Sequence, residues 1–185
     1  QTAQTVNKTR SAIDRSASEQ SRISVWRHAS NEMKMEIPNR AEVIAYRDWY
    51  LQHPRYLNTV TQRAEPYLYL VMQETEKRNM PMELVLLPVV ESASNPNARS
   101  PSNATGLWQF TAGTGRRYGL EQNRWYDGRR DIQASTTAAM DYLQKLSDDF
   151  DGNWFHAIAA YNAGEGRIQK AVEQSRRAGK NGDFW

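Results

Sequence analysis

Residues 129–150 read RRDIQASTTAAMDYLQKLSDDF, and this stretch decides the fold class. Ile132, Thr136, Ala139, Leu143, Leu146 and Phe150 recur at alternating steps of four and three residues, which places them on one face of a helix. Downstream, Gly152-Asn153 is a cap signal for a second helix, WFHAIAAYNA, which ends at Gly164. A third helix follows near residues 165–178. Upstream, Asp127-Gly128 is a turn, and GLWQFTAGTGRRYGL (106–120) reads as one glycine-punctuated helix. Residues 92–105 are rich in Ser, Asn, Pro and Ala and read as loop. MELVLLPVVES (82–92) is nearly all apolar until Glu91, with its run of strongly apolar residues from Leu84 to Val90; it reads as a buried helix kinked at Pro88.

The first half of the chain follows the same logic. AEVIAYRDWYL (41–51) places Val43, Tyr46, Trp49 and Tyr50 on an amphipathic face, and His53-Pro54 breaks that helix. A short helix begins at Tyr56, Leu57 and Val60. Glu65-Pro66 is a start signal for another, which Met80-Pro81 closes. No alternating strand pattern competes, so the expected class is mainly α. Residues 1–22 are polar and read as a flexible arm, leaving 23–185 as the folded domain.

Composition excludes several functions. The chain has 185 residues, no Cys and a net charge of +3, so disulfides, thiolate metal sites and cysteine nucleophiles are ruled out. His28, His53 and His156 lack metal-ligand spacing, so no metal is expected. Gly113-Thr114-Gly115 lacks the lysine and leading strand of a phosphate loop, so neither nucleotide nor nucleic acid is expected as a partner. The arginines at 116, 117, 124, 129 and 130 read as a solvated face that also suits an acidic polymer. Nine Tyr and six Trp against four Phe suit a wet groove.

Glu91 is the candidate catalytic group. A carboxyl at the end of an apolar run is partly dehydrated, which favours its protonated form and equips it as a general acid. A plainer reading, a helix-terminal Glu in solvent, stays open. Glycoside cleavage ordinarily uses two carboxylates. Here Glu121, Asp127 and Asp131 are the nearest downstream acids, and the last two sit beside arginines that explain them as surface pairs.

Taken in order, Glu91-Ser92, then Pro96, Ala98 and Ser100, then Gly106-Leu107-Trp108-Gln109-Phe110, then Ala160-Tyr161-Asn162-Ala163-Gly164 resemble the lytic transglycosylase family, and within it the membrane-bound murein transglycosylases of group D. The resemblance spans Trp26 to Trp185. It implies a lysozyme-like, goose-type-related helical domain with a substrate groove. It also implies cleavage of the β-1,4 bond between N-acetylmuramic acid and N-acetylglucosamine in peptidoglycan, with a 1,6-anhydro product. No cofactor is implied. Glu91 would serve first as acid and then as base, so no second carboxylate is needed. At matched positions Ser100, Gln109, Tyr161 and Asn162 would bind substrate, with Ser102 beside them; Trp125 and Tyr126 offer a sugar-stacking face on chemical grounds.

The family often carries an aromatic three residues after the catalytic Glu, where this chain has Ser94. Its relatives continue past residue 185 into a further helix and glycan-binding repeats. The implied location is the periplasm of a Gram-negative bacterium, with membrane contact only through an upstream lipid anchor. Two other activities fit the same fold: a hydrolytic muramidase using Glu121, Asp127 or Asp131 to hold water, and a peptidoglycan-binding domain with little turnover.

Overall fold

The computed structural model describes residues 20, 21 and 23–182. Most of the expected arm, at 1–19 and 22, lies outside the described residues, as do residues 183–185. The described chain is helical: α1 over 23–32, α2 (Ala41–Gln52), α3 (Pro54–Lys77), a 3-10 helix (Met82–Leu86), α4 (Leu87–Ser92), α5 (Ala112–Arg117), α6 (Ile132–Asp149), α7 (Trp154–Ala163) and α8 (Glu165–Arg177). Among the described residues the only extended pairing is isolated bridges, such as Arg99 with Thr105 and Thr105 with Phe110. The chain forms two compact units that meet in sequence at Asn95 and Pro96.

In the first unit, α3 is the spine. Val60, Ala64, Leu68, Val71, Met72 and Thr75 form one buried stripe along it. Pro66 lies inside this helix rather than starting a new one. Pro66 and Gln62, whose carbonyl loses its usual donor, are both exposed, so water can replace the missing bond. The stripe continues on both sides of Pro66, and its burial outweighs the local cost of about 3 kcal/mol. The break at His53 is where the sequence places it, with Pro54 opening α3.

Segment 82–92 also departs from expectation. It is a 3-10 helix followed by α4, and Pro88 sits in the first turn of α4, where its missing N–H costs nothing, so there is no kink. Glu83 ties this segment to the chain before α2. Its Oε1 accepts the backbone N–H groups of Lys34 (2.5 Å) and Met35 (2.6 Å). The amphipathic face of α2 is left uncovered: α2 has no buried residue, and Tyr46 is 72% exposed.

In the second unit, α6 is central, as its period predicts. Thr136, Ala139, Leu143 and Leu146 are fully buried. Asp131 caps α6 by accepting the N–H of Ala134 (2.8 Å), and Asn153 caps α7 by accepting that of His156 (3.1 Å). Ala157 and Ala160 let α7 lie close against Leu146 and Phe150, while Ile168 and Val172 of α8 cover the same cluster. The expected helix over 106–120 shrinks to α5. Gly106 (φ 88°) and Gln109 (φ 51°) both adopt left-handed backbone, which no α-helix accommodates, so 106–110 is a chain of turns instead.

Candidate active site

Glu91 belongs to the first unit and sits, half-buried, in the last turn of α4. What ends α4 is unusual. Ala93 (φ 49°) and Ser94 (φ 57°) are successive non-glycine residues in left-handed backbone. Their N–H groups close the helix end on the carbonyls of Val89 (3.0 Å) and Pro88 (2.9 Å). Each such residue costs about 1–2 kcal/mol, and strain of this kind gathers at functional sites. Ser94 is fully buried, and its Oγ has no hydrogen-bond partner. The sequence gives no signal for this double left-handed stop, because neither Ala nor Ser advertises positive φ.

Ser100, Ser102, Gln109, Trp125, Tyr161 and Asn162 belong to the second unit. The structure brings Ser100 and Ser102 together, with hydroxyl oxygens 2.9 Å apart. Ser100 Oγ also accepts the N–H of Ala104 (3.0 Å), which fixes the turn. Gln109 folds back on its own loop: Nε2 donates to the carbonyls of Gly106 (2.9 Å) and Ala98 (3.3 Å). Two carbonyl acceptors fix which end of the amide is which, leaving Oε1 to accept from a ligand.

Trp108 is core rather than platform. It is fully buried, and its indole N–H donates to Thr136 Oγ1 (3.0 Å) on α6. Its carbonyl accepts the Tyr161 hydroxyl (2.8 Å), so Tyr161 ties α7 to the same turn that carries Gln109. The Tyr161 ring lies 5.4 Å from that of Tyr142, whose hydroxyl pKa is pushed up chiefly by burial. Asn162 is exposed at the last turn of α7.

Trp125 is 88% exposed, yet its loop is built firmly. Asn123 Oδ1 accepts the N–H groups of both Trp125 and Tyr126 (2.8 Å each), and the Arg124 guanidinium lies 5.3 Å from the Trp125 ring centroid. A large exposed indole on a braced turn is a ready stacking surface.

Sequence reasoning missed Arg129. Its side chain is only 12% exposed, so it is no part of a solvated arginine face. Nε and Nη2 fork the Asp127 carboxylate (2.9 and 2.7 Å), and Nη1 donates to the carbonyls of Asn103 (3.1 Å) and Phe110 (3.3 Å). One guanidinium thus holds both ends of the loop that carries Gln109. The bonds from Arg129, opposed by partial burial, hold the Asp127 pKa below its ordinary value of 3.8. The stabilisation from a depressed carboxylate is complete above the unfolded-state pKa and fades as pH falls through the folded one. Asp127→Asn is therefore expected to lower stability by about 2 kcal/mol at pH 7. The gap from the wild type should shrink in urea melts taken below pH 3.8. A gap independent of pH would refute the ion-pair account.

Residues 69–184 match the family described as "Transglycosylase SLT domain". The chain belongs to this family. It is 51% identical over 161 residues to the membrane-bound lytic murein transglycosylase D of Escherichia coli K12, covering 87% of this chain and 36% of that protein. To the membrane-bound lytic murein transglycosylase C of Glaesserella parasuis it is 33% identical over 141 residues, 69% of this chain and 38% of that one. To the F protein of Shewanella woodyi it is 36% identical over 98 residues, 51% of this chain and 20% of that one. The chain therefore spans about a third of the first relative's length. As a transglycosylase SLT domain it has the mainly helical fold read from its sequence, and α1, α2 and the start of α3 lie outside the family match.

Proposed function

We propose that this chain is the catalytic part of a peptidoglycan lytic transglycosylase, with Glu91 as its one acid and base. Glu91 gives its proton to the glycosidic oxygen as the bond from the muramoyl C1 breaks. The substrate's own N-acetyl group stabilises the positive centre. The C6 hydroxyl oxygen then bonds to C1, and its proton passes to Glu91. A 1,6-anhydro ring closes, no water enters, and Glu91 returns to its starting form. Ser100, Ser102, Gln109, Tyr161 and Asn162 bind the sugar and its acetamido group, and Trp125 stacks on a ring face. Glycan strands of peptidoglycan are the partner. The enzyme works in the periplasm of a Gram-negative bacterium, at the outer membrane through a lipid anchor of the longer protein. Among the described residues no helix is long and apolar enough to cross a membrane.

Beyond family membership, one observation carries this reading over a hydrolytic one. The acids a muramidase would recruit are committed to the fold of the second unit. Asp127 is forked by Arg129, Asp131 caps α6 and accepts the Tyr126 hydroxyl (3.1 Å), and Glu121 accepts from Asn123 Nδ2 (2.6 Å). A carboxylate held by donors is a poor base for water. Mass spectrometry of digested sacculi tests the proposal. Muropeptides ending in anhydromuramic acid, lighter by one water than hydrolysed ones, are expected. Ordinary reducing ends would establish a muramidase, and sedimentation with sacculi without soluble products would establish a binding domain.

A further inference from the structure

The aromatic face that α2 leaves uncovered forms a cleft of about 520 Å³ against the first turn of α3. Glu42, Ala45, Tyr46, Trp49, Tyr50 and Tyr56 line it, and Glu91 does not. We propose that this cleft is a second saccharide site, for neutral N-acetylhexosamine units of a glycan strand. The proposal rests on the reading of the chain as a glycan-cleaving domain, but the cleft lies outside the family match at residues 69–184.

Three of its rings, Trp49, Tyr50 and Tyr56, are held in place before any ligand arrives. Trp49 packs edge-on against Tyr50 (5.2 Å) and Tyr56 (5.6 Å) and is stacked by His53 at 4.2 Å and 22°. His53 is pinned in turn by Nδ1–H donating to the carbonyl of Trp49 (2.7 Å). Trp49 nonetheless remains 44% exposed and Tyr56 41%. Large exposed rings fixed by their neighbours bind with little loss of side-chain entropy.

The chemistry of the lining selects the occupant. Ring faces suit the C–H faces of pyranoses, while the tyrosine hydroxyls and the Glu42 carboxylate suit sugar hydroxyls and an acetamido N–H. No Lys or Arg lines the cleft, so neither stem-peptide carboxylates nor an anionic lipid surface finds a counter-charge there. A concave surface is also ill-suited to pair with its own copy, because a two-fold interface needs self-complementary shape. The volume falls within the usual range for small-ligand sites, about 300–1,000 Å³. A strand held here is tethered to the molecule that carries Glu91, which raises its effective concentration there.

The test uses the whole 185-residue chain carrying Glu91→Gln, so that sacculi are bound and not consumed. Adding Trp49→Ala is expected to weaken co-sedimentation with sacculi about tenfold, and Trp49→Phe to restore most of it. Chitotetraose should shift the Trp49 indole N–H resonance of the Glu91→Gln chain. Trp49→Ala loses its ring contacts with Tyr50, His53 and Tyr56, so its melt is expected to shift down by a few degrees while staying cooperative, and Trp49→Phe should recover most of that shift. Unchanged sacculus binding in Trp49→Ala overturns the proposal. So does a loss confined to phosphatidylglycerol vesicle binding or to self-association. Anhydro-product formation on a short soluble glycan, assayed with Glu91 restored, is a separate readout. Its absence would sink the lytic reading without touching the α2 site.

Discussion

Glu91→Gln should lower turnover of peptidoglycan by at least about a thousandfold while leaving the fold and sacculus binding intact. General acid–base catalysis contributes about 10²–10⁴ to a step, and here one carboxyl is asked to serve two steps in succession. Glutamine keeps the size and the hydrogen-bonding reach of the side chain but can neither give a proton to the leaving oxygen nor take one from the C6 hydroxyl. Glu91→Asp keeps the chemistry and withdraws it by one methylene, a displacement of the order of 1 Å, for which about a hundredfold loss is expected. The pH profile separates one carboxyl from two. With a single acid that must start protonated, kcat/KM has one carboxyl-dependent limb, falling as pH rises. A second, ionised carboxylate would add a rising limb and make a bell. Residual activity of Glu91→Gln above a tenth of wild type, or a bell whose acidic limb disappears in Asp127→Asn or Asp131→Asn, would overturn the single-carboxyl account.

What the sequence made legible was local. The apolar period of α6, the Asn153 cap and the stop at Gly164 are each encoded within a turn or two of chain, and each is where it was read, whereas Asp131, read as a surface pair beside arginines, instead caps α6. The acid that ends an apolar run at Glu91 is local in the same sense. What escaped was set by distant partners. Pro66 looks like a helix start until the stripe from Val60 to Thr75 is known to be buried along one continuous face. Residues 106–110 look helical by composition, yet Thr105 N–H bonds to the Phe110 carbonyl (3.0 Å) and Gly106 N–H to that of Ala98 (2.9 Å), pulling the segment into turns. Arg129 looks like its exposed neighbour Arg130, because nothing near it in sequence reveals that the carbonyls of Asn103 and Phe110 await it. The face read on α2 from Val43, Tyr46, Trp49 and Tyr50 is there, but it has no buried residue, since periodicity reports a face and not its partner.

Gly106→Ala should be among the most damaging single substitutions in the second unit. A Cβ at this position would lie 1.9 Å from the carbonyl oxygen of Arg129 and 2.8 Å from its carbonyl carbon. Those are backbone atoms and cannot swing aside. The residue also holds φ at 88°, a region alanine occupies only under strain. Relief requires moving the 128–130 backbone, and there too room is short: a Cβ on Gly128 would meet the Glu121 carbonyl oxygen at 3.2 Å. Displacing Arg129 would loosen its fork on Asp127 and its bonds to Asn103 and Phe110, and with them the turn that carries Gln109. A loss of at least about 4 kcal/mol is expected, which for a chain of this size lowers Tm by about 10 °C. Gly113→Ala is the control. It makes the same change inside α5 with nothing within 4 Å of the new Cβ, so it should raise stability by about 0.5–1 kcal/mol. Opposite signs for one substitution at two glycines seven residues apart would locate the effect in the backbone contact at Gly106. A Gly106→Ala protein melting within about 2 °C of wild type would mean that the Arg129 peptide yields, and that the two loops are not locked as described.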